Sequence, residues 1–560
     1  MNGPTTEQAT ANQPIGVLWQ VLAGGLLFRS VIAYFLPVGF DEAYYFLYTQ
    51  HLDWSYFDHP PAVAWSAGIG LWLTGIVTPF TLRLGALGLF TGCLWLLYAT
   101  AKQLFGSRVG FLSCAIASLT PLFFLSFGIL AAPDNTLMFF WGLALYLCSY
   151  EFFPADQQAY AYRPTSRLVW ICFIVGLACL GKYHGFVLGL GLVLFCLAHR
   201  QYRAALTSKW LLVGAVAFAI TVLPIFYWNA QHDWISFRFQ LGDRFTQYQL
   251  DPNALEPHSY SLGALLGVIG AQAGYLFPSI ALPLWWVTLK TAFHTFANLR
   301  LQRPEHRTTT AQVRQEKINF LLWTGLPVAI AFTLIGGAAH TFPAWPAPGL
   351  WSLIILLGHA AARWPHHKVS RWLKTTGWIV GTVLIFTLTH IRLGTLQKPG
   401  DYAILGGIVT VEADPSTQLI DVVQLQQRLA ASDEFSGAIA QSDFVATREY
   451  WRSGYFAMAM PQSNTKASTI PVISLTIDPR GHAFWFNPQN WIGKNALLMS
   501  IASTSQTEFL SEMAPYFESI TPLTAIATQR GGENSEIFYL YQAKKLIKAY
   551  PDPYPVTATR

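Results

Sequence analysis

Residues 40–61 read FDEAYYFLYTQHLDWSYFDHPP, and the rest of the chain is best read outward from them. This stretch holds four carboxylates (Asp41, Glu42, Asp53 and Asp58), two histidines and eight aromatic residues, while no Lys or Arg occurs from Ser30 to Leu82. It sits in a chain of 560 residues that is 53% hydrophobic and only 11% charged, against about 25% charged in soluble domains. Windows of nearly uncharged residues recur at membrane-spanning length, which a bilayer solvent explains and a soluble core does not. An acidic, aromatic island in such a chain belongs at a membrane surface or in a site.

Apolar runs fall at 15–37, 82–101, 109–128, 134–152, 168–198, 210–228, 262–289, 318–337, 343–361 and 376–393. Reading 62–78 as an interfacial helix places every basic loop on one side of the membrane, as the positive-inside rule requires. The run 168–198 has basic clusters at both ends, so it reads as two short helices meeting at Gly181-Lys182-Tyr183-His184-Gly185. The expected architecture is a mainly α polytopic membrane protein of about 11 transmembrane helices, with the N-terminus inside and the first apolar run retained rather than cleaved. The membrane domain covers residues 1–393 and its first outer loop covers 38–81. Residues 394–560 alternate β-rich runs with helix-compatible stretches and read as a mixed α/β domain outside the membrane.

Charge supports the same division. Residues 1–393 carry the basic excess and residues 394–560 are slightly acidic, so the net charge of +6 reports topology and not nucleic-acid binding. All six cysteines (93, 114, 148, 172, 179 and 196) lie in apolar runs with no CxxC spacing; neither disulfides nor a zinc-thiolate site is expected.

Five outer segments then converge: 40–61, Ala132-Pro133-Asp134-Asn135, the Lys182 turn, 229–260 and 340–349. If 41–50 is helical, Tyr44, Tyr45 and Tyr48 share a face with Asp41, giving an acid beside a tyrosine wall suited to sugar hydroxyls and C–H faces. An interfacial aromatic belt is the plainer alternative. Asp134 can cap a helix start and still act chemically. Lys182, with Arg238 and Arg244 in the later loop, sets positive charge opposite the carboxylates, although a lysine there can also snorkel to the interface. One base for an acceptor hydroxyl, together with cations for a departing phosphate, would serve transfer from a lipid-linked sugar phosphate.

Several pieces carry a resemblance: FDEAYYFLYTQHLDWSYFDHPPAVAW, TLRLGALGLFTG with KQLFG, LAAPDNTLMFFWGLALY, GLACLGKYHG, LPIFYWNAQHDWISFRFQ and AWPAPG. In this order the chain resembles membrane glycosyltransferases of the GT-C fold, in the family 39-like group related to protein O-mannosyltransferases and to lipid A aminoarabinose and galacturonic acid transferases. The resemblance implies an inverting hexosyl- or pentosyltransferase of the bacterial inner membrane. Its partners would be a polyprenyl-phosphate sugar donor, a lipid, glycan or protein hydroxyl acceptor, and membrane lipids, with the site on the periplasmic side. Asp41 matches the family's base, Glu42 its companion and Asp134 a second acid. Asp58 and His59 stand where relatives hold a metal or the lipid phosphate, so no metal is assigned and a divalent ion stays an open alternative. Lys182, Tyr183 and Arg244 match phosphate or sugar contacts, and His232 lies near a metal-ligand histidine but out of register. The chain departs from aminoarabinose transferases in carrying tyrosines where they have an Arg after the acid pair, and His59 where they have Lys. A multi-pass transporter or flippase of a lipid-linked or anionic substrate is the competing reading.

Overall fold

In lipid a backbone finds no polar partner but itself, so the uniformly apolar runs form helices. The computed structural model describes residues 15–154, 162–243, 260–299, 310–339, 341–476, 478–551 and 554. In chain order the helices are α1 (Ile15–Phe35), α2 (Phe40–Gln50), α3 (Ala62–Thr74), α4 (Pro79–Phe105), α5 (Ser107–Leu119), α6 (Pro133–Phe152), α7 (Arg167–Gly181) and α8 (Gly185–Ala198). They continue with α9 (Arg203–Leu206), α10 (Lys209–Gln231), α11 (Ile235–Arg238), α12 (Leu262–Leu276), α13 (Pro278–Leu299), α14 (Thr310–Ile335), α15 (Ala347–Ala361) and α16 (His366–Leu393).

Among the described residues five helices (α1, α4, α10, α14 and α16) are long and apolar enough to cross a membrane, or seven spans if each sharply bent pair counts as one. The expected count of eleven is therefore not reproduced by length and composition. The shortfall comes from α5, α7 and α15, which have 13 to 15 residues and at 1.5 Å per residue reach about 20 Å, short of a hydrocarbon core of roughly 30 Å, and from α6, which has 20 residues but is not apolar enough to count as a span. The 168–198 run does break into two short helices at residues 182–184.

Beyond α16 the chain forms a six-stranded sheet: β1 (Phe444–Thr447), β2 (Val472–Ser474), β3 (Ala496–Ile501), β4 (Phe517–Pro522), β5 (Ile526–Arg530) and β6 (Glu533–Leu546). The order is β2-β1-β3-β6-β4, with β5 also on β6. β1 runs parallel to β2 and β3, and β6 antiparallel to β3, β4 and β5. Strand side chains alternate between faces, so Phe444 and Ala446 enter one core while Val445 enters another.

That second core positions the site. With Val445 it contains residues of α17 (Val422–Ala430), α18 (Asp433–Gln441) and α19 (Tyr450–Ala459), and it continues without a break into Ala43, Tyr44, Phe46, Leu47 and Tyr48 of α2. α2 is thus enclosed between the membrane helices and the sheet domain. The α19 crossing is close enough that a Cβ on Gly454 would lie 2.1 Å from the Ala43 carbonyl oxygen, so only glycine fits there.

Candidate active site

Asp41 and Glu42 occupy the first turn of α2, where the helix dipole favours negative charge. Their surroundings are opposite. Asp41 is exposed, and its charge reaches the Tyr450 and Tyr455 phenols of α19. Glu42 is buried, and its two oxygens accept from Arg83 Nε (2.8 Å), Arg83 Nη2 (2.5 Å), the Ala131 amide (3.0 Å) and the Gly39 amide (3.1 Å). The remaining Arg83 donors go to the carbonyls of Ala33, Leu36 and Pro37 at 2.6–2.9 Å, so all five guanidinium N–H groups are satisfied. Glu42 is a structural anchor here, with no lone pair facing a substrate.

The Ala131 contact brings the α2 start to the α6 start, where Asp134 follows Pro133. Lys182 Nζ donates to both Asp134 oxygens, at 2.9 and 2.8 Å, and each side chain is 11% exposed. The contact depends on Gly181: a Cβ there would lie 2.6 Å from the Leu137 amide nitrogen and 2.8 Å from Thr136 Oγ1, so the end of α7 can lie directly against α6. The third Nζ proton has no partner among the described residues. Beside it, the Tyr183 hydroxyl bonds Ser236 Oγ at 2.6 Å, close to Ser55 and Asn229 and within the field of Asp58.

Asp58 itself accepts from the hydroxyls of Tyr48 and, at 3.5 Å, Tyr44. Burial first, and then the Asp58 charge, hold both phenols well above the ordinary tyrosine value, so they remain donors. His59 Nε2 meets Tyr45 Oη at 3.1 Å. These tyrosines are not an open wall for a sugar: Tyr44, Tyr45 and Tyr48 are 1%, 6% and 0% exposed, because α19 and Trp485 cover them. Their rings build the domain interface, and the hydroxyls of Tyr44 and Tyr48 fix Asp58.

His232 stacks on Trp228 at 4.0 Å and its Nδ1 meets the Trp228 carbonyl at 2.7 Å, while Trp228 Nε1 donates to Asp53 Oδ2 at 2.9 Å. The ring therefore supports the 53–58 loop from behind. Arg244 lies outside the described residues. Among those residues no three His, Cys, Asp or Glu side chains are grouped to hold a metal ion. Asp58 and His59 turn to different tyrosines, with an arginine beside Asp58.

That arginine, Arg480, comes from the sheet domain. Its Nη1 lies 3.5 Å from Asp58 Oδ2 and its Nε 3.4 Å from Asp478 Oδ2, with the guanidinium over Tyr450 (4.2 Å) and Phe239 (5.5 Å). Burial alone would lower its pKa, but Tyr450, Asp478 and Asp58 hold it well above the ordinary arginine value. Both Tyr450 and Arg480 follow the carboxyl ends of parallel strands β1 and β2, where α/β sheets place functional loops. Reading by charge within the membrane part missed them; the polar turn Asp478-Pro479-Arg480-Gly481-His482 between apolar runs was the available signal.

Residues 58–228 match the family described as dolichyl-phosphate-mannose-protein mannosyltransferase. The chain is 25% identical over 389 residues to the lipid A galacturonosyltransferase RgtD of Rhizobium johnstonii, covering 69% of this chain and 73% of that one. The fold is similar to ArnT from Cupriavidus metallidurans, both bound to undecaprenyl phosphate (TM-score 0.53) and in the apo state (0.54). Each comparison is at 14% identity and covers 94% of this chain and 98% of ArnT. The resemblance to GT-C glycosyltransferases read from the motifs therefore holds, and the chain has the GT-C fold.

Proposed function

We propose that this protein transfers a sugar from a polyprenyl-phosphate donor to a hydroxyl of a cell-envelope acceptor, with inversion, at the extracytoplasmic face of the membrane. The observation that carries the reading is the division of labour at the α2 start: Glu42 is locked by Arg83, while its neighbour Asp41 is exposed. In this mechanism Asp41 accepts the acceptor hydroxyl proton as its oxygen attacks the anomeric carbon. The bond from that carbon to the phosphate oxygen breaks, and the polyprenyl phosphate leaves with the electron pair. A phosphate needs no proton to depart, so a cation replaces the general acid of a glycosidase. Lys182, with one N–H unsatisfied among the described residues and Asp134 holding it in place, supplies that charge. The Tyr44 and Tyr48 hydroxyls hold Asp58 in place.

The test is Asp41→Asn in purified protein reconstituted with a polyprenyl-phosphate sugar and a lipid A-type acceptor. The name of the curated relative makes a uronosyl donor the first choice. Transfer should fall by about three orders of magnitude or more, the upper range for general base loss, with donor binding retained. Near-normal turnover would remove Asp41 as the base.

A further inference from the structure

The connection that leaves α16 presents an apolar surface for which the transfer reaction has no use. Tyr402, Ile404, Leu405 and Ile408 are 58%, 48%, 99% and 68% exposed, four large apolar side chains in seven residues. The segment is held firmly. Lys398 N donates to the Val409 carbonyl, Ile408 N to the Leu396 carbonyl and Ile404 N to the Thr395 carbonyl, each at 2.8 Å. Buried Gln397 accepts from Arg530 of β5 at 3.0 and 3.1 Å, which ties the base of the loop to the sheet. At the tip, Leu405, Gly406 and Gly407 have φ of 53°, 81° and 75°. A leucine in this left-handed region is uncommon, and here its whole side chain projects outward.

Water is a poor environment for such a tip, whereas its position beside α16 points to lipid. α16 spans a membrane length and keeps a strip of Trp378, Val383, Ile385, Phe386 and Leu393 exposed down to its last residue. The loop begins one residue later, at Gly394, so its apolar tip continues that lipid-facing strip. Lys398, in the same loop, is exposed and suits an anionic headgroup, an arrangement typical of interfacial segments.

We infer that residues 402–408 insert into the membrane interface and rest the sheet domain on the lipid bilayer. The loop acts as a foot. Through Gln397, Arg530 and Asp414 it fixes the height of β5 above the membrane, and with it the sheet that carries α19 onto α2.

The test uses the full chain in nanodiscs of phosphatidylethanolamine and phosphatidylglycerol, with nitroxide labels at Leu405→Cys and Ile408→Cys after replacement of the native cysteines. Control labels go at Ile385→Cys on the lipid-facing strip and Lys494→Cys on the exposed sheet domain. Oxygen should collide with the 405 and 408 labels several-fold more often, relative to a water-soluble nickel chelate, than with the Lys494 control. Nickel access equal to that control would overturn the inference, as would protection from both reagents, the mark of a protein partner or second copy. A photoactivatable leucine analogue at 405, with all cysteines in place, gives an independent readout. Lipid adducts are expected, and protein adducts or none would contradict the foot.

Discussion

The Glu42–Arg83 and Asp134–Lys182 pairs each join a carboxylate in the first turn of one helix to a cation at another. They differ in what else is filled. Glu42 accepts four bonds and Arg83 donates five, with side chains 3% and 0% exposed. Among the described residues Asp134 and Lys182 share only each other at 11% exposure, with one N–H to spare. A buried pair with all its partners is a lock, because removing either member strands a charge. In a two-bond pair at the edge of a site, the ammonium's third N–H can take a substrate oxygen while the pair stays intact.

Breaking the lock should have the largest effect. Arg83→Ala leaves Glu42 uncompensated and three backbone carbonyls unpaired, which should destabilise the protein by about 3–5 kcal/mol. A large fall in the thermal midpoint in detergent, or absence of folded protein, checks it. Arg83→Ala with unaltered stability would erase the distinction between the pairs. Lys182→Ala should do the reverse. Its loss of a charged hydrogen bond to phosphate, about 1.5–3 kcal/mol, should weaken polyprenyl-phosphate binding roughly ten- to hundredfold, with a smaller fall in melting than Arg83→Ala because only Asp134 loses its partner, and an unchanged dissociation constant would remove the phosphate role.

Arg480→Gln tests a third, looser arrangement. Its 3.4 and 3.5 Å contacts and partial exposure predict a loss of about 1 kcal/mol, mostly of ring stacking over Tyr450. Comparing melting of Arg480→Gln, Asp58→Asn and the double variant isolates the Asp58 coupling, and a large coupling would make this contact a lock as well. A separate test concerns acid. His482 is buried with Nε2 on Ser453 Oγ at 2.7 Å, and burial pushes it down to about 3. The unfolded chain binds this proton near 6.5 and the folded one does not, so stability is full above about 6.5 and declines as pH falls toward 3. His482→Asn should flatten that decline in melting scans between pH 7.5 and 5; identical slopes would show that other groups carry the acid limb.

Much of this was visible in the order of residues. Adjacent acids at a helix start, a lone lysine in a glycine-bounded turn and an acid after proline are local patterns, and each fell where helix geometry puts it. Which acid is locked was not local, since Arg83 lies 41 residues from Glu42. Helix spacing sets Tyr44, Tyr45 and Tyr48 beside Asp41 as an open wall, whereas Asp41 is exposed and the tyrosines are buried; the cover comes from α19 and Trp485, and Arg480 reaches Asp58 across 422 residues. No periodicity reports such distances. The span count fell short for a related reason: a 13-residue helix wedged among protein neighbours has the same composition as half of a spanning one.

The shared core of α2 and the sheet domain also sets an order of events during synthesis. α2 leaves the ribosome near the beginning and α19 near the end, a lag of roughly 20 to 80 s at about 5–20 residues per second. Until then Tyr44, Tyr45 and Tyr48 have no cover and Asp58 has no Arg480. A chain truncated before α19 thus carries every membrane helix and yet leaves the candidate site without its cover.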